Sequence, residues 1–248
     1  MKVSELIQPG TKTDIRILQQ VQGEKNTGDP AKRYISQVLD YSANGNMEIA
    51  MPTEGSRLIL LPLGIRYELT FYTEGQLYRA IGEVKERYKK DNMYMLEVEL
   101  KSQPERFQRR EFYRYECNLE MTYYHITKEQ AELESIDAIF LELRDEHFRE
   151  KEKHATVVDL SGGGMRLHAE EQLEDGSYIL IGMHLTNDKI NKQYYIVGHI
   201  LRSYRLEDRK ERIYEARVKF VINDNKIREE IIRYIFEEER RTRQKVNR

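Results

Sequence analysis

Through the first hundred residues apolar positions seldom recur at helical spacing. They alternate with polar ones in short runs closed by turn formers, which is the period of strands rather than helices. The runs fall at residues 15–18, 34–41, 47–50, 57–61, 66–71, 77–84 and 93–100. The alternation is clearest where Tyr67, Leu69 and Phe71 interleave with Glu68 and Thr70, a pattern that buries one face of a strand and wets the other. Breaks at Gly28-Asp29-Pro30, Ala43-Asn44-Gly45-Asn46, Pro62-Leu63-Gly64 and Lys90-Asp91-Asn92 leave no room for long crossover helices. This half is expected to be a small antiparallel barrel or sandwich.

The stretch from Ser102 to Arg114 interrupts the pattern with Pro104 and with Arg106, Arg109, Arg110 and Arg114, as a solvated linker between domains would. It divides the chain into domains at 1–103 and 104–248, with the arginines in a junction over 106–114. Beyond it Tyr115, Cys117, Leu119, Met121 and Tyr123 alternate as a strand. Further strands follow at 155–160, 165–167, 178–184, 194–204 and 213–221, predicting a second small antiparallel barrel. Two helical patterns interrupt the β character. Ile136, Ile139, Phe140 and Leu143 share one face of an amphipathic helix, read as an insertion within 128–153. Ile227, Ile231, Ile232, Ile235 and Phe236 do the same near the C-terminus, opened by Asn223-Asp224-Asn225 as a cap. That helix is expected to pack on the barrel and fray into a solvated tail over the charged run 237–248. The fold class is mainly all-β: two antiparallel barrels joined by an Arg-rich linker, with a C-terminal α-helix and a helical insertion.

Composition narrows what such a chain can do. Its 41 Lys and Arg nearly cancel 43 Asp and Glu, and a net charge of −2 provides no global field for nucleic acid or an anionic membrane. No DNA or RNA partner and no membrane insertion is therefore expected. No apolar run approaches the ~18 residues needed to span a bilayer, and the N-terminus is polar too early for a signal peptide, so the expected compartment is the cytoplasm. The single cysteine, Cys117, rules out an internal disulfide or a Cys-based zinc site, and its alternation with Tyr115 and Leu119 turns it inward. His125, His147, His154, His168, His184 and His199 lack the spacing of metal ligands, and no metal or cofactor is assigned.

Two constellations could carry chemistry. In Asp159-Leu160-Ser161-Gly162-Gly163-Gly164 a strand runs into three glycines, and Asp159 and Ser161 project from the same face of it. Without Cβ atoms the turn admits close approach to the backbone. A carboxylate accepts the N1–H and N2–H₂ donors of a guanine edge, and a serine hydroxyl beside free backbone N–H groups suits a phosphate oxygen. Taken alone, the stretch also fits an ordinary glycine-rich hairpin with a turn-forming Asp. The other constellation is Arg110 and Arg114, about 13 Å apart on one face of an extended chain and about 6 Å apart in a helical turn. Either geometry lets two guanidinium groups converge on a ligand with bases and phosphates. Such an arginine spacing is common by chance; Asp-x-Ser-x-x-Gly is not, and the two in order within an antiparallel context are the signal.

On these residues the chain resembles the PilZ domain. Gln108-Arg109-Arg110-Glu111-Phe112-Tyr113-Arg114 followed by Asp159-Leu160-Ser161-Gly162-Gly163-Gly164 is similar to the RxxxR and [DN]xSxxG motifs of that six-stranded barrel, which binds cyclic di-GMP. Ala216-Arg217-Val218-Lys219-Phe220 and Ile231-Ile232-Arg233-Tyr234-Ile235-Phe236 resemble its last strand and terminal helix. The first half, through Ile49-Ala50-Met51-Pro52-Thr53, Phe71-Tyr72-Thr73 and Leu77-Tyr78-Arg79-Ala80, is similar to the barrel that precedes PilZ in flagellar-brake proteins of the YcgR type. The resemblance implies a non-enzymatic cyclic di-GMP receptor whose inter-domain arrangement changes on binding. It implies regulation of motility through flagellar rotor or stator proteins at the basal body, with the protein a monomer or weak homo-oligomer. Arg110 and Arg114 would clasp guanine and phosphate, Asp159 and Ser161 would contact a guanine edge and a phosphate, and Gly162, Gly163 and Gly164 would let the ligand approach. Arg109 would reach a second stacked molecule. The interval from Arg114 to Asp159 exceeds the family pattern, which implies either a lengthened strand or an added helix.

Other readings differ in class. A ligand-independent PilZ adaptor would need degenerate motifs, and these are complete. A single-stranded nucleic-acid binder would use exposed Tyr and Arg, against the neutral net charge. An enzyme with Ser161 as nucleophile lacks a G-x-S-x-G elbow and a histidine placed beside it in sequence.

Overall fold

A computed structural model describes residues 3–27, 31–144, 148–207, 212–222 and 224–246. The Gly28-Asp29-Pro30 break, His147 and the capping Asn223 lie outside the described residues. The chain divides into two compact units, Met1–Arg109 and Arg110–Arg248.

The first unit runs α1 (Val3–Leu6), β1 (Lys12–Ile17), α2 (Leu18–Thr27), β2 (Arg33–Tyr41), β3 (Met47–Ala50), the small hairpin β4 (Thr53–Glu54) and β5 (Arg57–Leu58), β6 (Arg66–Thr73), β7 (Gln76–Lys90), β8 (Met93–Leu100) and β9 (Glu105–Arg106). Six strands pair antiparallel in the order β6-β1-β2-β3-β8-β7, and pairing of β6 with β7 closes them into a barrel. Closure decides between the barrel and the sandwich that alternation alone had left open. Ile15, Val38, Ile49, Tyr67, Leu69, Phe71 and Leu96 fill the interior. The Lys90-Asp91-Asn92 break is a tight hairpin turn with Asp91 and Asn92 at φ 48° and 65°, the left-handed region these residues tolerate.

Three expectations for this unit are corrected. Residues 57–61 are not one strand, because only Arg57 and Leu58 pair, while Leu61 is buried without strand partners. The face carrying Glu68 and Thr70 is not wetted. Both are buried, α2 packs against β6, and Arg16 clamps Glu68 at 2.5 Å and Glu24 of α2 at 3.1 Å. Nor is the junction a free linker. β9 pairs with Tyr78 and Arg79 of β7, the Arg79 guanidinium lies 4.6 Å from the Phe107 ring centre, and Phe107 N–H donates to the Leu77 carbonyl.

The second unit comprises β10 (Arg114–Ile126), α3 (Lys128–Ala131), α4 (Ile136–Leu143), a 3₁₀ turn (Phe148–Lys151), β11 (Lys153–Ser161), β12 (Gly164–Ala169), β13 (Tyr178–Thr186), β14 (Asn191–Arg205), β15 (Tyr214–Val221) and α5 (Asn225–Val246). Its strands form a closed antiparallel barrel ordered β10-β11-β12-β15-β14-β13. Val157, Leu160, Leu167, Ile181, Ile196, Ile200 and Val218 pack inside it together with Ile231, Tyr234 and Ile235 of α5. The excess between the two motifs is helical. Thr127 and Gln130 form a reciprocal capping box that starts α3, and the Ser135 hydroxyl accepts the Ala138 N–H to start α4. Ile139 and Leu143 are buried against Tyr124 and Val197 on the outside of the barrel.

Two details of α5 depart from expectation. Phe236 is 59% exposed, and Tyr234 takes the inward position next to Ile235. The charged run does not fray; it stays helical to Val246, with Arg240–Glu237, Arg241–Glu238 and Arg243–Glu239 pairs at 3.3, 3.0 and 2.8 Å. Pairs at this spacing add about 0.2–0.5 kcal/mol each to a helix.

Cys117 turns toward the core as its alternation predicts, and burial, then the charge of Asp159, push its thiol up to about 12. A raised pKa keeps the thiol protonated at every pH below it, so at pH 8 almost no thiolate is present. We predict that a disulfide reagent leaves the folded protein unlabelled at pH 8 and labels one thiol per chain in denaturant. Rapid labelling of the folded chain would contradict this inward strand face.

Candidate ligand-binding site

Strand register brings the two motifs together. On β10 and β11 Arg114 stands opposite Ser161, and Glu116 opposite Asp159. On β11 and β12 Ser161 faces Gly164, and Asp159 faces Arg166; on β12 and β15 Gly164 faces Lys219, and Arg166 faces Arg217. Two rows therefore cross four neighbouring strands, Arg114-Ser161-Gly164-Lys219 and Glu116-Asp159-Arg166-Arg217. At the usual strand spacing each row spans roughly 14 Å.

A bulge decides which way these side chains point. Val157 is a core residue, so strict alternation would turn Asp159 and Ser161 inward as well. The register shifts between Val157 and Asp159, Leu160 becomes the next core residue, and Asp159 and Ser161 move to the outer face. Both are nevertheless tightly enclosed. The Arg166 Nε donates to Asp159 Oδ2 at 2.9 Å, and its Nη1 donates to Glu215 Oε2 at 3.2 Å. Glu215 is also held by the Tyr204 hydroxyl and lies 3.5 Å from His168 Nε2. Burial opposes the charge on Arg166, but Glu215 and Asp159 outweigh it and hold the guanidinium above its ordinary pKa. Burial likewise opposes the charge on Glu215, and the Tyr204 hydrogen bond with Arg166 and His168 keeps that carboxyl low.

The Ser161 hydroxyl donates to the Gly164 carbonyl at 2.9 Å, closing the turn, and no histidine bonds to it among the described residues. The three glycines are explained by packing. A Cβ on Gly162 would lie 2.7 Å from Ile232 Cγ1 and 2.8 Å from Phe112 Cδ1; one on Gly163 would meet the Phe112 ring at 3.0 Å; one on Gly164 would sit 2.1 Å from the Val218 carbonyl oxygen. The close approach that the glycines allow at Gly162 and Gly163 is thus taken up by Phe112 and Ile232.

Phe112 and Tyr113, between the two arginines, are both docked on α5. The Arg228 guanidinium lies 5.8 Å from the Phe112 ring centre, and Tyr113 stacks on Phe236 at 6.4 Å and donates to Glu239 at 2.6 Å. Arg110 and Arg114 are exposed, and neither has a hydrogen-bond or ion-pair partner among the described residues. Arg109 belongs to the first unit. Its guanidinium lies 5.3 Å from the Tyr72 ring centre and donates to Tyr72 Oη at 2.8 Å, while that hydroxyl donates to buried Asp14. The sequence reading missed Arg166, Arg217 and Lys219. Alternation with Met165, Leu167, Val218 and Phe220 marks all three as outward, but nothing local shows that they line up with Asp159 and Ser161.

Residues 8–100 match the family model described as flagellar protein YcgR, and residues 108–237 the one described as PilZ domain. Among solved structures, the inhibitor of motility MotI/DgrA of Bacillus subtilis superposes with a TM-score of 0.69 at 15% identity, over 96% of this chain and 100% of that one. At that identity the likeness is one of fold. YcgR of Escherichia coli in complex with c-di-GMP gives a TM-score of 0.47 at 13% identity, over 96% of this chain and 88% of that one. No curated protein matches.

The packing sets an order of sensitivity along the turn. Gly164→Ala is expected to lose upward of ~3 kcal/mol because backbone must move, Gly162→Ala about 1–3, and Gly163→Ala under ~1 because a ring edge can shift. Urea unfolding of the three variants checks the order. Equal losses would show that packing does not select these glycines.

Proposed function

Because the chain belongs to the PilZ domain family and carries the YcgR-type region ahead of that domain, we propose that it is a non-enzymatic receptor for cyclic di-GMP. The observation that carries this reading is the pairing of Arg114, without an ion-pair partner among the described residues, with Ser161 of the Asp-x-Ser-x-x-Gly turn. In this reading Arg110 and Arg114 clasp guanine and phosphate, with bidentate hydrogen bonds or stacking by the guanidinium plane. Asp159 accepts the donor edge of a guanine while Arg166 holds its second side. Ser161 keeps the turn closed with its proton, Gly162 and Gly163 let Phe112 sit against that turn, and Gly164 lets the Val218 backbone approach it. Lys219, in the same row as Arg114, adds a third cation for phosphate. Arg109 reaches a second ligand molecule only by leaving Tyr72.

The output we assign is control of motility through a flagellar motor protein. This rests on the family to which residues 8–100 are matched, together with the fold shared with a motility inhibitor. Ligand binding would change the arrangement of the two units, because residues through Arg109 are anchored to the first barrel and residues from Phe112 to the second. Only Arg110 and Glu111 remain between these anchors.

Calorimetric titration tests the site. Arg110→Ala or Arg114→Ala should weaken cyclic di-GMP by tenfold to a hundredfold, the ~1.5–3 kcal/mol of a charge-assisted hydrogen bond. Cyclic di-AMP should bind far more weakly than cyclic di-GMP, since adenine offers Asp159 no N1–H or N2–H₂. Unchanged titrations for both arginine variants would remove the site. The rearrangement is tested separately, by spin labels at Glu74 and Gln193. Saturating ligand should shift their distance distribution, and Arg114→Ala should abolish the shift; identical distributions would leave a receptor without this mechanism.

A further inference from the structure

The insertion between β10 and β11 does more than lengthen a loop. Between α3, α4, the outer face of β14 and β15, and the start of α5 lies a cavity of about 180 Å³. Leu133, Ile136, Ile139, Tyr195, Val221 and Ile227 line it, and Phe140 packs edge-on to Tyr195 at 4.9 Å beside its mouth. Its size is comparable to the ~150 Å³ apolar cavity that takes up benzene, so it would accept one large apolar side chain. Leu141, on the exposed side of α4, is 73% exposed and extends the apolar surface outward.

The charges around this cavity are one-sided. From Lys128 to Arg144 there are two cations, Lys128 and Arg144, against five carboxylates, Glu129, Glu132, Glu134, Asp137 and Glu142, a balance of −3. Glu134 and Asp224 stand on the rim. Neither they nor Asp137 and Glu142 has an ion-pair partner among the described residues. Asp159, Glu215, Glu230, Glu237, Glu238 and Glu239 of this unit are neutralised by ion pairs, whereas others, such as Glu116 and Glu174, have none among the described residues; what sets the insertion apart is that its unpaired carboxylates adjoin an apolar cavity.

We propose that this groove receives a basic amphipathic helix of another protein, with one large apolar side chain in the cavity and Lys or Arg against Glu134, Asp137 and Glu142. The chain has no such helix to offer itself among its described elements. The exposed end of α5 carries Arg240, Arg241 and Arg243, each already paired within the helix. α2 is polar with no apolar stripe, and α1 carries an acid. None of the residues that line the groove is one assigned to the nucleotide, so the proposal does not rest on the nucleotide reading.

The test uses the full chain and a dye-labelled 18-residue peptide of Leu and Lys at amphipathic helical spacing, with a Leu and Glu peptide as counterpart. Anisotropy at physiological salt should show saturable binding of the basic peptide alone. Binding should weaken at least tenfold in Glu134→Lys/Asp137→Lys, whose positions are exposed and outside the core, and in Ala131→Phe, which fills the cavity. Thermal melts establish that each variant folds, and the charge variant decides by itself if the filled one does not. Amide shifts of labelled protein should cluster on the lining residues. Equal affinity in parent and charge variant, or shifts elsewhere, would overturn the proposal. So would a dimer of the parent that the charge variant dissociates, because the occupant would then be a second copy.

Discussion

Phe112 seated against Gly162 and Gly163, with Ile232 closing the same space, joins three segments that are distant in sequence: the arginine motif, the glycine turn and the terminal helix. Each part depends on the other two. The turn must be glycine because the ring and the isoleucine occupy the Cβ positions, and the chain between Arg110 and Arg114 is ordered because Phe112 and Tyr113 are held from below. The cation of Arg114 is thereby presented on anchored backbone, and that of Arg110 lies two residues ahead of the Phe112 anchor. A ligand that engages them has less conformational entropy to remove than it would on a free linker.

The near-zero net charge conceals a strong local separation. Among the described residues Arg110, Arg114 and Lys219 have no ion-pair partner, and Arg114 and Lys219 share one row of the second barrel, while carboxylates without ion pairs collect on the insertion that follows β10. Along β10 thirteen residues of strand separate Arg114 from the insertion, but around the closed barrel Lys219 shares a row with His199, Tyr178 and Ile126, roughly 14 Å from the end of that strand. An anionic nucleotide and a basic protein segment would each find a region of the required sign on one domain, which the total of 41 cations and 43 anions does not reveal.

Much of the fold was legible because closed barrels of short strands impose period-two alternation on sequence. Tyr67, Leu69 and Phe71, or Tyr115, Cys117 and Leu119, state their facing directly. The helix at Ile136 to Leu143 was legible for the complementary reason, since its apolar residues recur at the helical period. What escaped notice lacked a period. α2 is a polar helix with no stripe, and the covered outer face of β6 follows from Arg16 pairing with Glu68 and Glu24, residues far apart in sequence. Phe236 and Tyr234 exchanged roles because a stripe of isoleucines does not say which neighbouring aromatic completes it; the packing of the helix does, with Tyr234 in the core cluster and Phe236 stacked on Tyr113.

The site divides in the same way. Asp159, Ser161, the glycines and the arginine pair were visible as residue types at telling spacings, and the shared face of Asp159 and Ser161 followed from strand geometry alone. Which face it was did not. Alternation from Val157 would have sent both inward, and the bulge that turns them out is a mismatch between strands, a property of the pair and not of either segment. Arg166, Lys219 and the opposition of Arg114 to Ser161 belong to the same category. By itself the sequence determined the elements and the chemistry available, because local periodicity and residue type are local properties. Tertiary structure alone decided which residues meet, because register, closure and the occupation of each glycine's empty space are set by partners that no local window contains.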